Sequence, residues 1–354
     1  MIIQKTEKKL HMELLRIIAI FCVLFNHTGT KGFVLFTSAR DSALYWFYMF
    51  FGIAIKVGVP LFFMISGALL LEKEESIGRI LKKRVSKILA AMLAGSVIVY
   101  LHKLGGDLTA FSIRELLTNL YIGNVTTAYW YFYAYLAFLL LLPFLRKIAR
   151  GLSNQEYHYM IILYVFIQGL VILQLYALIG LSYNHNFSLF ITEKIVFYPL
   201  LGYYMEHRLP KEAYQKKTMV GLMLLSVLAI GVMCMMTHRY CTIFNQWDEV
   251  SVQKYFELLI FLPAAMLYFG SKYYFTNHKI WKWTEKLIVL GGSAAFGIFL
   301  LERIYRAEAY PVYEILCPYI HSFPASIAWA GCACVLGCVV TLLLKCIPGV
   351  KKFL

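Results

Sequence analysis

An arginine and a histidine lie in the first apolar segment of the chain, where ionisable side chains are rare. Arg16 and His27 are eleven positions apart, and the residues between them are almost all apolar. In an α-helix eleven residues make about three turns, so the two side chains project from nearly the same face, about 16 Å apart along the axis. Ionisable groups at membrane depth normally face a bundle interior or a wet cavity. The spacing therefore predicts a reaction channel with a cation and a titratable ring along one wall.

The chemistry available to these residues is proton transfer next to a fixed positive charge. A neutral imidazole at that depth can act as a general base that takes a proton from a hydroxyl nucleophile. Glu13 lies one turn before Arg16 and can pair with it. The structural alternatives are that Arg16 reaches the cytoplasmic interface and that His27 is a packing residue. Because Arg16 and His27 share a face, we assign His27, Arg16 and Glu13 to a catalytic group.

A basic cluster precedes the third apolar segment. Arg84 and Lys87 are one helical turn apart, as are Lys83 and Lys87. Anchoring to the membrane surface is the structural alternative for such a cluster. Guanidinium and ammonium groups also bind phosphate well. We predict that Lys83, Arg84 and Lys87, together with Arg16, bind an anionic, phosphate-bearing donor.

Aromatic residues occupy six of the seven positions 129–135, at the start of the fourth apolar segment. Tryptophan and tyrosine belts are common at membrane interfaces, and the same side chains can form stacking platforms for sugar rings. We assign Trp130 and Tyr133 to acceptor binding.

Two later apolar segments each contain adjacent opposite charges, Glu193 with Lys194 and Glu302 with Arg303. Burial of charge in a membrane is costly, so each is predicted to form an intramembrane pair.

The composition indicates an integral membrane protein. The chain has 354 residues, of which 60% are hydrophobic and 15% charged, whereas soluble domains average roughly 45–50% apolar and about 25% charged. The net charge of +15 does not indicate nucleic-acid binding, because the basic residues cluster beside the apolar segments, as positive-inside topology requires. The eight cysteines lack metal-ligand spacing, so no metal site is predicted.

Ten apolar runs approach the length of about 20 residues that a membrane-spanning helix needs. They are 12–30, 43–71, 88–103, 129–145, 157–178, 188–205, 219–236, 252–270, 287–304 and 324–346. The second is interrupted by Gly52, Lys56, Gly58 and Pro60, which predicts a kink. We therefore predict one all-α, polytopic domain over residues 1–354, with about ten transmembrane helices.

The distribution of basic residues predicts the orientation. With the N-terminus inside, the cytoplasmic segments hold most of the 34 lysines and arginines, as the positive-inside rule expects. The opposite segments hold only Lys31, Arg40, Lys103, Arg114, Arg239, Arg303 and Arg306. Both termini are then cytoplasmic.

Several motifs occur in an order that resembles a known family. They are the acidic-x-x-Arg…His pattern of Glu13, Arg16 and His27, the Phe-rich run 59–67 that ends in Ser-Gly, the basic segment 83–89, the aromatic segment 129–133, the Phe-x-x-Gly-like segment 197–203, and the run 295–301. Together they are similar to the motifs of the membrane acyltransferase 3 family. Glu302 stands where that family usually has a histidine, and we assign it to substrate binding.

The resemblance implies a fold and a reaction. Members of the family have about ten helices and transfer a small acyl group, usually acetyl, from acyl-CoA to a hydroxyl of a surface carbohydrate. The expected donor is acetyl-CoA without a metal, and the expected partners are a carbohydrate or glycolipid acceptor and membrane lipid, in a homodimer or a glycan-assembly complex. The expected location is the plasma (inner) membrane of a bacterium. His27 would be the general base or would carry the acyl group briefly.

Two other classes of function fit some of these features. A transporter or flippase for a polar or glycan-linked substrate would also have many spans, a kinked helix and buried charges. The two similar halves that many transporters show are not evident in this sequence. A scaffold subunit of a polysaccharide assembly complex would leave Arg16 and His27 replaceable without loss. Release of CoA thiol that depends on an acceptor separates the enzyme from both alternatives.

Overall fold

Helices make up nearly all of the regular structure in the computed structural model, which describes residues 9–177 and 189–352. The α-helices are α1 (Leu10–Asn26), α2 (Tyr45–Ile55), α3 (Gly58–Leu70), α4 (Ile77–Arg79), α5 (Ser86–Lys103), α6 (Ile113–Tyr121), α7 (Trp130–Gly151), α8 (Asn154–Tyr176), α9 (Lys194–Tyr203), α10 (Lys216–Phe244), α11 (Phe261–Asn277), α12 (Lys282–Leu300), α13 (Glu302–Glu308), α14 (Tyr310–Ile320) and α15 (Ser322–Leu344). Two π-helices, Ile80–Val85 and Tyr204–Arg208, join α4 to α5 and extend α9. No β-strand occurs in the described ranges, so the predicted all-α class is confirmed.

Seven helical segments of the described chain are long and apolar enough to cross a membrane. They are Tyr45–Leu70, Ile77–Lys103, Thr127–Gly151, Asn154–Tyr176, Lys216–Phe244, Lys282–Leu300 and Ser322–Leu344. The other three predicted spans, 12–30, 188–205 and 252–270, contain α1, α9 and α11, whose helices are shorter than the predicted spans. Helix α1 ends at Asn26, α9 begins at Lys194 and α11 begins at Phe261. The count of ten spans and the orientation of the termini remain predictions.

Helix α1 lies at the centre of the bundle and packs against α3, α11, α12 and α15. Its residues Leu15, Ala19 and Ile20 are fully buried. A helix that is apolar on most sides and surrounded by other helices keeps its few ionisable side chains inside the protein. Arg16 and His27 are thereby held within the bundle.

Close backbone contact joins α3 to α9. A Cβ atom on Gly67 would collide with the backbone of Pro199, and one on Gly202 would collide with the backbone of Met64. In membranes, helices associate through close packing over small residues. The Ser-Gly and Phe-x-x-Gly-like motifs therefore have a packing role, since each supplies a glycine at this contact.

A buried carboxylate ties α1 to the end of α9. Glu206 lies 2.6 Å from Lys9, 3.2 Å from His11 and 3.3 Å from Lys272, and it accepts a hydrogen bond of 2.9 Å from the Tyr268 hydroxyl. Burial alone raises the pKa of Glu206, but hydrogen bonds from His11 and Lys9 outweigh it and hold the pKa below its usual range. This network fixes the start of α1, and hence the height of Arg16 in the bundle.

Candidate active site

The side chains of α1 that the sequence singles out all face the protein interior. Arg16 donates a hydrogen bond of 2.5 Å to Glu13, as the i, i+3 spacing predicts. Glu13 is 5% exposed and packs against Gly292 of α12, where a Cβ atom would collide with it. His27 follows the last residue of α1 and caps the helix. Glu13 therefore holds the guanidinium in place, and the end of the helix sets the position of the imidazole.

A cavity of about 360 Å³ lies between α1, α3, α5, α7, α12 and the π-helix before α5. Arg16, Lys83, Arg84 and Lys87 all contribute to its lining. Among the described residues, neither Lys83 nor Lys87 lies within ion-pair distance of a carboxylate. The structure thus brings together the four basic residues that the sequence assigns to an anionic donor. We call this space the basic cavity.

Arg84 is oriented by an acidic residue of the loop between α3 and α4. Its Nε and Nη2 donate to the two carboxylate oxygens of Glu75 at 2.8 and 2.7 Å, and Arg146 donates to the same carboxylate at 2.8 Å. The hydrogen bond from Arg84, together with that from Arg146, lowers the pKa of Glu75 to about 2 against the opposing effect of burial. A fork-shaped guanidinium held this way is ordered before any phosphate arrives.

Aromatic side chains form the rest of the basic cavity wall. Phe62, Tyr131, Phe132, Tyr135 and Phe299 line it together with aliphatic residues. A site that combines cationic side chains with an apolar, aromatic wall suits a ligand that carries phosphates at one end and a less polar arm at the other.

A second and smaller cavity, of about 60 Å³, contains His27. Its lining also includes Asn26, Lys56, Trp130 and Glu257. We call this space the histidine cavity. The sequence predicts a single channel past Arg16 and His27. In the structure the two side chains line different cavities, which share Phe299, and a continuous channel between them stays a prediction.

Phe299 is the residue that lines both cavities. It is 3% exposed, and its ring lies 4.9 Å from the ring of Tyr131 and 5.2 Å from that of Phe132, measured between centroids. Aromatic packing of this kind fixes a ring without hydrogen bonds. Phe299 therefore forms the partition between the basic cavity and the histidine cavity.

A buried glutamate orients the imidazole. The Nδ1 atom of His27 lies 3.2 Å from Oε2 of Glu302, and Arg306 donates to the same oxygen at 3.4 Å. Glu302 is 1% exposed and begins α13, directly after the break that ends α12 at Leu300. An ionised carboxylate only accepts hydrogen bonds, so Nδ1 carries the proton and Nε2 is the basic nitrogen of the neutral ring.

The structure separates the remaining predicted residues. Trp130 lines the histidine cavity and is 48% exposed, which leaves it able to contact an acceptor. Tyr133 lines neither cavity, and its hydroxyl donates to the backbone carbonyl of Leu120. Glu302 contacts Nδ1 of His27, so it lies on the side of the imidazole away from the basic Nε2 atom. The roles of all three in substrate binding remain predictions.

The predicted pairs of adjacent charges are replaced by pairs between residues that are not neighbours in sequence. Glu302 bonds to His27 at the end of α1 and to Arg306, which lies one turn further along α13. Lys194 pairs with Glu257. Side chains of adjacent residues on a helix diverge by about 100°, so neighbours in sequence rarely meet.

The sequence analysis assigned no role to Asn26, Lys56, Glu257 and Phe299, which also line the histidine cavity. Lys56 was visible only as an interruption of the second apolar run, although an ionisable residue inside a span is itself a signal of function. No comparable signal marks Phe299, because phenylalanine is abundant throughout this chain. Within the described ranges, no three histidine, cysteine or acidic side chains are grouped closely enough to hold a metal ion.

An all-helical bundle with a cationic cavity and an adjoining buried histidine defines a multi-pass membrane protein with an enzyme-like site. The family model described as "Acyltransferase domain" matches residues 10–346. The chain therefore belongs to the acyltransferase 3 family and is a membrane acyltransferase. No curated protein and no solved structure matches the chain.

Proposed function

We propose that this acyltransferase moves an acetyl group from acetyl-CoA to a hydroxyl of a cell-surface carbohydrate or glycolipid. One observation carries the proposal. Four basic residues from two distant parts of the sequence line one cavity, and Phe299 lines both that cavity and the cavity that contains His27. A phosphate-bearing donor held at the first site would present its far end to the second.

The donor would bind with its phosphates on Lys83, Arg84 and Lys87, the residues nearest the predicted cytoplasmic side. Arg84 is already oriented by Glu75, so less conformational entropy is lost on binding. The cavity volume of about 360 Å³ falls in the range of roughly 300–1,000 Å³ that is usual for small-molecule sites. Arg16, held by Glu13, lies deeper and would contact the pantetheine arm or the thioester.

His27 would supply the base at the end of this path. Nε2 takes the proton of an acceptor hydroxyl, and the carboxylate of Glu302 stabilises the imidazolium that forms. In the alternative route the imidazole itself carries the acetyl group and passes it to the acceptor. The same contact with Glu302 serves both routes, and Trp130 would provide a surface for the sugar ring.

The setting that accompanies this proposal is the plasma membrane of a bacterium, with the acceptor supplied by lipid-linked or surface glycan. A homodimer or a glycan-assembly complex would bring the acceptor to the site. The proposed reaction needs no metal ion.

Transfer of radiolabel tests the proposal. Purified protein in lipid nanodiscs is given acetyl-CoA labelled in the acetyl group and a glycan and glycolipid extract of a bacterial envelope. We expect labelled extract and an equal amount of free CoA thiol, both lost in His27→Ala. His158→Ala is the matched control, because His158 is exposed and bonds to Tyr204, away from both cavities.

The same experiment separates the enzyme from a transporter. The breaks between α2 and α3 and between α12 and α13 lie at the site, as broken helices do in many transporters. A transporter or flippase would move the extract across a vesicle membrane without releasing CoA thiol. Absence of thiol release by folded wild-type protein, with such movement intact, would contradict the proposal.

A further inference from the structure

Lys56 occupies the break between α2 and α3. It follows Ile55, the last residue of α2, and α3 begins two residues later at Gly58. The carbonyl end of a helix carries partial negative charge, which favours a cation at that position. The break places the half-buried Lys56 side chain in the lining of the histidine cavity, together with His27.

The ammonium of Lys56 has a hydrogen bond but no ion-pair partner in the described part of the chain. Its Nζ donates to Oε1 of Gln253 at 2.7 Å and lies 5.1 Å from the centre of the Phe33 ring. Glu257, the carboxylate that lines the same cavity, forms its ion pair with Lys194 and attracts Lys56 only from a longer distance. Burial of an unpaired cation within a membrane span costs free energy, and an apolar side chain at this position would avoid that cost. Lys56 is therefore available to an anion inside the cavity.

We infer that Lys56 is a catalytic residue that stabilises the negative charge on the acyl oxygen during transfer. This assignment rests on the proposed function. A cation and a base that line one small cavity suit acyl transfer, because the reaction takes a proton from one oxygen and places negative charge on another. A preorganised donor at the developing oxyanion is usually a large contribution to such a reaction.

The step can be written with all atoms placed. The acceptor hydroxyl loses its proton to Nε2 of His27 while its oxygen bonds to the carbonyl carbon of the thioester. The carbonyl electron pair moves onto oxygen, and the ammonium of Lys56 holds that oxyanion. The carbonyl then re-forms as the C–S bond breaks, and the leaving thiolate takes the proton from the imidazolium. The products are the ester and CoA thiol.

The experiment compares Lys56→Met, Lys56→Gln and Lys56→Arg in the nanodisc assay with acetyl-CoA and the envelope extract. We expect kcat to fall by about 10²–10³-fold in Lys56→Met, the usual effect of removing one oxyanion donor. The KM for acetyl-CoA should change by less than about threefold, and Lys56→Arg should recover part of the rate because it keeps the charge. A purely structural role would not give this split between kcat and KM or this recovery.

Lys103→Met is the matched control, since Lys103 is an exposed cation at the end of α5 that lines neither cavity. Should Lys56→Met not fold, Lys56→Gln removes the charge while keeping a polar group next to Gln253. A folded neutral variant with wild-type kcat would overturn the assignment, and so would a raised KM for the extract with kcat unchanged. In both cases the proposed function would stand, provided that the wild-type protein transfers the acetyl group. If the wild-type protein transfers no acetyl group, the proposed function itself is overturned.

Discussion

The Nδ1 atom of His27 and the Oε2 atom of Glu302 are 3.2 Å apart, although the two residues are separated by 275 positions in the chain. The contact joins the end of α1 to the start of α13 inside the bundle. It selects the tautomer of the imidazole and places a full negative charge behind it. The chain therefore has a carboxylate–histidine pair at the start of α13.

Replacement of Glu302 by glutamine is expected to reduce kcat on the order of 10²-fold. The substitution keeps the size of the side chain and removes the charge that stabilises the imidazolium. Steady-state release of CoA thiol from acetyl-CoA measures the effect. Glu308→Gln is the control, because Glu308 is the exposed last residue of α13 and contacts His102. Equal rates in wild type and Glu302→Gln would remove Glu302 from the mechanism.

Neutral variants of the basic cavity are expected to weaken donor binding. Lys83→Gln, Arg84→Gln and Lys87→Gln should each raise the Kd for CoA by about 5- to 50-fold, since each loses one charge-assisted contact with phosphate. Calorimetric titration of CoA into the nanodisc-bound protein gives the Kd. Lys82→Gln is the neighbouring control, because Lys82 is exposed and does not line the cavity. An equal loss of affinity in Lys82→Gln would indicate general surface charge.

The stability of the protein is expected to fall in acid through Glu75. Its contacts with Arg84 and Arg146 lower its pKa from the ordinary 4.5 to about 2, so the folded state binds this proton less readily than the unfolded state. The stabilisation is complete above pH 4.5 and is lost progressively as the pH falls towards 2. Thermal unfolding between pH 7 and pH 3 should show a steeper decline for wild type than for Glu75→Gln. Parallel curves would contradict this account of Glu75.

Phe299→Ala is expected to open the partition between the two cavities. Removing a buried phenylalanine leaves a cavity that its packed neighbours fill only in part. Longer donors such as butyryl-CoA should then gain in kcat/KM relative to acetyl-CoA by about tenfold or more. Competition between the two labelled donors measures the ratio. Phe296→Ala is the control, because Phe296 lines the basic cavity alone, and a similar change there would argue against a partition at Phe299.

Gly202→Ala is expected to destabilise the packing of α9 on α3. The new methyl group would meet the backbone of Met64, which cannot move without shifting a helix. Gly169→Ala is the paired variant, since a Cβ at Gly169 of α8 has no neighbour within 4 Å. That substitution should be neutral or stabilising by up to about 1 kcal/mol, the difference in helix propensity. Unfolding midpoints in one detergent give both values.

Local patterns predicted much of this site. The i, i+3 contact of Glu13 with Arg16 follows from helix geometry alone. The basic segment before α5 could be assigned to the same site as Arg16 of α1, because both carry side chains that bind phosphate. The kink in the second apolar run is confirmed by the break at Lys56. These features depend on residues close in sequence or on strong burial costs.

Long-range packing determined the rest. The contact of His27 with Glu302 and that of Lys56 with Gln253 join segments about 200 or more positions apart, and nothing local indicates either partner. The division of one predicted channel into two cavities depends on the position of the Phe299 ring. Side-chain packing at that level is set by the whole bundle.

The central claim is that the basic cavity and His27 act on one acyl-CoA molecule. Binding and turnover measured on the same preparation of His27→Ala test it most directly. We predict that CoA binds with the wild-type Kd while release of thiol from acetyl-CoA falls at least 10²-fold. A folded His27→Ala protein that releases thiol at the wild-type rate would contradict the account.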